Sequence, residues 1–191
     1  AEAIAELKAG LERATHTVQQ MLTLARLEPG AAERVRAPVS LADLTRGVVL
    51  EQAPLAEARG IDLGLVAADV AAVVAGDAEA LRILLANLVG NALRYTPSGG
   101  QVDVACGMVD GQACLEVADS GPGIPPAERE RVFDRFYRGV VSGEGGTRGG
   151  SGLGLSIVRA IAERHGAHVI LDEAVLGGLR VRVIFAADAK A

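Results

Sequence analysis

The spacing of apolar residues predicts a long helix followed by a domain that contains both helices and strands. In residues 1–28 the apolar positions recur in alternating steps of three and four, the repeat of a helix that packs against a partner with the same seam. The seam consists of Ile4, Leu7, Leu11, Ala14, Val18, Met21 and Ala25. We favour packing in an intermolecular bundle, and the alternative is an amphipathic helix that lies on the domain's own surface.

Residues 29–37 predict a linker, and residues 38–191 predict one domain in which helices and strands interleave. Helices are expected at 43–58, at 78–95 with Asp77 as N-cap, and from the Gly-rich region to His165. Strands are expected at 39–41, 61–67 (read as buried), 73–77, 101–108, 112–118, 167–172 and 179–185. Because hairpins make the sheet mixed, the predicted fold class is α+β, a two-layer sandwich of a mixed sheet packed on helices.

The composition fits a globular domain and argues against several partners. Of the 191 residues 50% are hydrophobic and 23% are charged, which is too apolar for a disordered chain. The net charge of −5 is too acidic for a nucleic-acid partner. No run of apolar residues is long enough to span a membrane, and no secretory signal is recognisable at the start of the sequence.

The two cysteines are predicted to stay reduced. Cys106 and Cys114 flank a probable hairpin turn at Asp110 and Gly111. Pairing about that turn places Cys106 opposite Leu115, so the two thiols point to opposite faces of the sheet. A disulfide is therefore not expected, and two isolated cysteines make no zinc site, which indicates a reducing, cytosolic compartment.

Polar residues at helical spacing mark the first candidate site. Asn87, Asn91, Arg94 and Tyr95 share one face of the helix predicted at 78–95. Carboxamide oxygens are hard, neutral ligands that suit Mg²⁺, which also keeps waters and shares phosphate oxygens.

Three further segments add to this chemistry. Asp119 directly follows a predicted strand, where a carboxylate can accept from an exocyclic amine, and Gly121 and Gly123 let the backbone approach a flat ring. Residues 149–155 form a Gly-rich turn that opens a helix, whose free N–H groups and dipole suit phosphates. Between them, residues 132–138 hold two of the three phenylalanines, Phe133 and Phe136, which we expect to anchor the core.

The order of these segments resembles the ATP-binding catalytic domain of sensor histidine kinases, within the wider superfamily of gyrase, the chaperone, histidine kinases and MutL. The resemblance covers about residues 38–186. It rests on an N box (NLVGNALRYTPSGG, 87–100), a G1 box (DSGPGI, 119–124), an F box (VFDRFYRG, 132–139) and a G2 box (GGSGLGLSIV, 149–158). Residues 1–28 resemble the second helix of the family's dimerisation and histidine-phosphotransfer hairpin.

The resemblance implies a site for Mg²⁺ and ATP. It implies that Asn91 coordinates Mg²⁺ with help from Asn87, that Arg94 faces the phosphates, and that these three serve catalysis. Residues from about 125 to 150 would form a mobile lid. The implied nucleotide-binding residues are Asn91, Arg94, Tyr95, Asp119, Gly121, Gly123, Ile124, Phe136, Arg138, Gly150, Ser151, Gly152, Leu153, Gly154 and Leu155.

Position 87 favours phosphotransfer over hydrolysis. The relatives that hydrolyse ATP carry a water-activating Glu one helical turn before the Mg²⁺-binding Asn, whereas this chain has Asn87, which cannot act as a general base. The γ-phosphoryl is therefore expected to pass to a histidine on an acceptor helix of the full-length homodimer, and from there to a response regulator. The alternative is a nucleotide-binding switch module without catalysis.

The family's acceptor motif, His-Glu/Asp-x-x-x-Pro, is not found in this sequence. His16 is expected to be solvated on the first helix, His165 to act as a cation at a helix end, and His168 to open a strand. The chain is therefore expected to be a fragment, the cytoplasmic domain of an inner-membrane sensor protein.

Overall fold

The elements follow the sequence pattern closely. The structure is a computed structural model that describes residues 10, 11, 14, 15, 17, 18, 20–24, 36–137 and 151–186. The helices of the domain are α1 (Leu41–Arg59), α2 (Ala78–Tyr95) and α3 (Gly154–Arg164), with 3₁₀ turns at Pro126–Glu128 and Arg131–Phe133. The strands are β1 (Ala37–Ser40), β2 (Asp62–Ala68), β3 (Val73–Gly76), β4 (Gln101–Val109), β5 (Gln112–Asp119), β6 (Ala167–Glu173) and β7 (Leu179–Phe185).

A five-stranded mixed sheet forms one layer of the domain. Its strand order is β2-β4-β5-β7-β6, in which β2 and β4 are parallel and the other neighbours are antiparallel, while β1 and β3 form a separate antiparallel pair. Alternate residues of β4, Val102, Val104 and Cys106, are buried beneath α1 and α2. The predicted α+β two-layer fold is confirmed.

The strand β2 departs from the prediction of a buried strand. It pairs only with β4, so it lies at the edge of the sheet, and most of its residues are half-buried or exposed. Val66 is 60% exposed. An apolar run at a sheet edge and one in a sheet centre look alike in a sequence, because periodicity does not report on the neighbours of a strand.

Side-chain caps set the ends of the helices. Ser40 accepts a hydrogen bond from the Asp43 amide, so α1 begins two residues before the predicted start, and Gly60 closes it at φ 62°. Asp77 caps α2 as predicted, accepting from the amides of Glu79 and Ala80. Pro54 lies inside α1, where it supplies no N–H to the helix.

One face of the N-terminal helix contacts the domain. Gln20 and Leu24 are each 7% exposed, and Leu24 belongs to the core cluster. In contrast, the seam residues Leu11, Val18 and Met21 are 70%, 55% and 46% exposed. The helix therefore lies on its own domain through one face, and the intermolecular bundle stays a prediction for the exposed seam.

His165 is a neutral structural residue, which corrects the expectation of a cation at the helix end. Its Nε2 accepts a hydrogen bond from the Asp77 amide at 3.1 Å, so Nδ1 carries the proton and donates to the Ile161 carbonyl at 2.7 Å. Desolvation lowers its pKa, and this outweighs the raising effect of the Ile161 carbonyl. A Cβ at Gly76 would lie 2.8 Å from the imidazole Cδ2. His168 is exposed on β6, and His16 lies outside the described residues.

The cysteines follow the predicted register. Cys106 lies opposite Leu115, and both Cys106 and Cys114 are buried free thiols. None of the helices in the described part of the chain is both long and apolar enough to cross a bilayer.

Candidate functional site

A cleft of about 830 Å³ opens along α2, between the loop after β5 and the start of α3. Three of the four segments singled out for their chemistry, the polar face of α2, the loop after β5 and the turn before α3, thus come together on one side of the domain. Of the residues implied by the resemblance, the cleft is lined by Asn87, Asn91, Arg94, Tyr95, Asp119, Gly123, Ile124, Ser151, Gly152, Gly154 and Leu155. Arg138 and Gly150 lie outside the described residues.

Asp119 is fixed at the closed end of the cleft. It ends β5, is 6% exposed, and its Oδ1 accepts from the amides of Gly121 at 2.8 Å and Leu179 at 3.1 Å. Desolvation raises the pKa of this carboxyl, and the two amide bonds oppose that rise. No hydrogen bond from the described residues reaches Oδ2, which leaves that oxygen as an acceptor at the cleft wall.

Glycines allow the backbone to pack directly on Asp119. Gly121 does not itself line the cleft, but a Cβ there would lie 2.9 Å from Asp119 Oδ1 and 3.2 Å from the Tyr95 carbonyl oxygen. A Cβ at Gly178 would overlap Asp119 Oδ1 and lie 2.6 Å from the Gly121 nitrogen. Sequence reasoning missed Gly178 and Leu179; the adjacent glycines before β7 were their only signal.

Arg129 braces the same loop, and sequence reasoning missed it too. Its Nε donates to the Ile124 carbonyl at 3.1 Å, and its Nη1 donates to the Leu171 carbonyl at 3.2 Å. The guanidinium therefore ties the wall that carries Ile124 to strand β6.

The two carboxamides of α2 meet the first residue of α3. A Cβ at Gly154 would lie 3.3 Å from Asn87 Oδ1 and 3.3 Å from Asn91 Oδ1. Asn87 Nδ2 donates to the Ile83 carbonyl at 2.8 Å, so the amide is oriented with Oδ1 toward Gly154. Any side chain at position 154 would therefore press on both amide groups.

The Gly-rich turn before α3 packs against the F box through backbone. Gly152 has φ 71°, and a Cβ there would lie 2.8 Å from Phe136 Cα. The Phe136 amide donates to the Gly152 carbonyl at 2.9 Å. Leu153 is buried below the cleft and does not line it; its amide donates to Ser151 Oγ at 3.2 Å.

Phe136 is not the core anchor that the sequence suggested. It has φ 66°, is 59% exposed and does not line the cleft, because its backbone turns at the contact with Gly152. Phe133 does pack against the core, as expected. Tyr137 lines the cleft in its place, with the Arg131 guanidinium 4.7 Å from its ring centroid.

Gln20 of the N-terminal helix is the unexpected member of the site. Its Nε2 donates to Asn87 Oδ1 at 3.1 Å, and its Oε1 accepts from Ser151 Oγ at 2.5 Å. The neighbouring Leu22 and Thr23 also line the cleft. Nothing in the heptad pattern distinguishes Gln20 from the solvated positions of that helix.

The side chains that could hold a cation in the cleft are carboxamides. Within the described residues no group of three or more His, Cys, Asp or Glu could bind a metal ion. Asn87 and Asn91, whose amide groups both lie beside Gly154, fit a hard ion that keeps waters and shares phosphate oxygens.

The chain belongs to a known family of proteins. Residues 76–189 match the family of histidine kinase-, DNA gyrase B- and HSP90-like ATPases, and the chain belongs to that family. Within it, the chain is 39% identical over 184 residues, 96% of its length, to the sensor protein kinase PmrB of Pseudomonas aeruginosa PAO1. It covers 38% of that protein, so it spans about two fifths of the relatives' length.

Solved structures narrow the family to one branch. Full-length ShkA in complex with AMPPNP matches with a TM-score of 0.77 and 30% identity, over 98% of this chain and 39% of ShkA. The cytoplasmic segment of histidine kinase QseC matches with a TM-score of 0.63 and 30% identity, over 92% of this chain and 93% of that segment. The domain is thus of the type found in sensor histidine kinases, as the resemblance implied.

Proposed function

We propose that this domain binds Mg²⁺ and ATP in the cleft and transfers the γ-phosphoryl group to a histidine on a dimerisation helix. The observation that carries the proposal is the buried Asp119, whose Oδ1 is held by two amides while Oδ2 remains an acceptor at the cleft wall. An exocyclic amine donates where Oδ2 accepts, so the arrangement suits adenine. Tyr95 and Ile124 line the cleft beside it and would contact the ring.

The other end of the cleft suits a triphosphate with its metal ion. Asn91 would hold Mg²⁺ with help from Asn87, and the ion would neutralise charge on the phosphates. Arg94 lines the same cleft and adds a cation. The amides of residues 152–155 at the start of α3 would donate to phosphate oxygens, the Leu153 amide after giving up its hydrogen bond to Ser151 Oγ.

Phosphotransfer fits this site better than hydrolysis. The residue one turn before Asn91 is Asn87, a carboxamide, which is too weak a base to take a proton from water. An imidazole nitrogen needs no such base: it attacks the γ-phosphorus, the bond to the bridging oxygen breaks, and ADP leaves with the electron pair. Positioning and charge neutralisation then account for the catalysis.

The partners follow from the same proposal. The acceptor histidine would belong to the first helix of the dimerisation hairpin in a full-length homodimer, and a response regulator aspartate would receive the phosphoryl group next. The full-length protein would be an inner-membrane sensor with this domain on the cytoplasmic side. The alternative is a switch module that binds ATP without transferring the γ-phosphoryl group, and the tests below distinguish the two.

The first experiment is thermal unfolding of the chain with ATP or GTP, with and without Mg²⁺. A ligand at 100 times its Kd adds about 2.7 kcal/mol of stability, which shifts the midpoint clearly. We expect a Mg²⁺-dependent shift with ATP only. Asp119→Asn should abolish it, because an amide keeps the Oδ1 acceptor but can present a donor to the adenine amine. Asp110→Asn, the same change in the exposed hairpin turn, is the control.

The second experiment separates a kinase from a switch. The chain is incubated with radiolabelled ATP and a separately supplied dimerisation hairpin that contains the acceptor histidine. Label on the histidine supports the kinase, and ATP binding without label supports the switch. Steady release of phosphate without the hairpin would contradict the role given to Asn87 and favour an ATPase.

A further inference from the structure

The buried amide of Gln20 joins the N-terminal helix to two parts of the nucleotide cleft. Both ends of the amide are used: Nε2 donates to Asn87 Oδ1 at 3.1 Å, and Oε1 accepts from Ser151 Oγ at 2.5 Å. Gln20 is 7% exposed although it lines the cleft, so its amide has lost most of its contact with water and needs these partners. The contact is therefore a specific junction between the helix and the domain.

Leu24 extends the same contact surface. It lies one helical turn beyond Gln20, is also 7% exposed, and packs in the core cluster of the domain without lining the cleft. Val18, on the side of the exposed seam, is 55% exposed. The helix thus has a docking face, Gln20 and Leu24, that is separate from the seam predicted for dimerisation.

The docked helix engages the atoms that the metal-bound triphosphate requires. Asn87 Nδ2 is committed to the Ile83 carbonyl, so Oδ1 is the atom that can help to hold Mg²⁺, and Gln20 donates to it. On the other side, Ser151 donates to Gln20 and accepts from the Leu153 amide, one of the amides proposed to bind phosphates.

The adenine end is independent of the helix. Asp119 is held by the amides of Gly121 and Leu179, and neither bond involves the N-terminal residues. A change in docking should therefore alter the affinity for ligands that carry phosphates and Mg²⁺, and it should not alter the recognition of the base.

We propose that docking of the Gln20–Leu24 face and binding of Mg²⁺-ATP exclude each other, so that the N-terminal helix restrains the phosphate end of the cleft. This inference rests on the proposed function. Undocking frees Asn87 Oδ1 for the ion and releases Ser151, and in return bound Mg²⁺-ATP displaces the helix. The helix that is expected to carry the dimer seam is in this way coupled to the occupancy of the site.

The test compares Mg²⁺-ATP and adenosine as ligands of the whole chain. Gln20→Ala removes both hydrogen bonds, and Leu24→Ala weakens the docked state without touching the cleft. If docking competes with the phosphates, both changes raise the fraction of molecules ready to bind, and the affinity for Mg²⁺-ATP should rise about five-fold in calorimetry. The affinity for adenosine, followed by NMR titration, should not change. Val18→Ala is the matched control on the exposed side and should alter neither affinity.

The outcomes separate this inference from the proposed function. Unchanged or weaker Mg²⁺-ATP binding by both Gln20→Ala and Leu24→Ala overturns the competition. Equal gains for ATP and adenosine also overturn it, since the effect would not be confined to the phosphate end. A wild-type chain that binds neither ligand refutes the nucleotide site itself, whereas normal adenosine binding with no response to either variant refutes only the restraint by the helix.

Discussion

Replacement of Gly178 by alanine should damage the candidate adenine site through a residue that never contacts the ligand. A Cβ at this position would overlap Asp119 Oδ1 and lie 2.6 Å from the Gly121 nitrogen, whereas ordinary contacts begin at 3.4 Å. Relief of the contact with that nitrogen alone needs a movement of about 0.8 Å. A shift of this size along the bond carries the Leu179 amide, now 3.1 Å from Asp119 Oδ1, out of hydrogen-bonding range.

The lost bond sets the size of the effect. A hydrogen bond to a charged group contributes about 1.5–3 kcal/mol, so we expect Gly178→Ala to lower the free energy of unfolding by about that amount. The pKa of Asp119, already raised by burial, should rise further, because one of the bonds that oppose the rise is gone. Movement of the carboxylate should weaken ATP binding by about ten-fold or more and reduce the preference for ATP over GTP.

The assay is urea unfolding together with calorimetric titration of ATP and GTP. Gly177→Ala is the control, because Gly177 has φ 90° but open space around its Cβ position. That change should cost about 1–2 kcal/mol of stability through backbone strain and leave nucleotide affinity unchanged. If Gly178→Ala binds ATP as tightly as the wild type, Asp119 is not held in place by this packing and the reasoning fails.

Three further changes test other parts of the structure. Burial lowers the pKa of His165 in the folded state below its ordinary 6.5, so its contribution to stability should be complete above pH 6.5 and be lost as the pH falls further. In urea unfolding, the loss of stability between pH 7.5 and pH 5.5 should be smaller for His165→Gln than for the wild type. The control, His168→Gln, should lose as much stability as the wild type. Pro54→Ala should stabilise the chain by about 1–3 kcal/mol, seen as a higher urea midpoint, and a lower midpoint would mean that the proline relieves strain in α1. Asn91→Ala should remove the Mg²⁺ dependence of ATP binding in calorimetry, and persistent dependence would place the ion elsewhere.

Local signals in the sequence were sufficient for most of the fold. The bounds of α2 and its Asp77 cap match the prediction, because a cap and a 3.6-residue period are read within one segment. The pairing of Cys106 with Leu115 also matches, since a two-residue turn fixes the register of a hairpin. The prediction failed for β2, where burial depends on which strands lie alongside.

The contacts that complete the candidate site could not be predicted from the sequence either, because they too join segments that are far apart in the chain. Gln20 and Asn87 are 67 residues apart, and Asp119 and Leu179 are 60 residues apart. Such hydrogen bonds exist only after the chain has closed, and a periodic pattern reports which face is buried without naming the partner. His165 shows the consequence: its place after α3 suggested a cation, whereas burial lowers its pKa and its Nε2 accepts from the Asp77 amide, 88 residues away in the chain.

The two ends of the cleft differ in their readiness for a ligand. At the proposed adenine end, Asp119 Oδ1 is already fixed by two amides and Oδ2 is left to accept, so the proposed base contact needs no rearrangement. At the proposed phosphate end, Asn87 Oδ1 and the Leu153 amide are satisfied by Gln20 and Ser151. Each of those groups must exchange its partner before it can serve Mg²⁺ or phosphate. Discrimination between nucleotide bases should therefore depend on the proposed adenine end, which is rigid. The position of the N-terminal helix should depend on whether the proposed phosphate end, which must rearrange, is occupied.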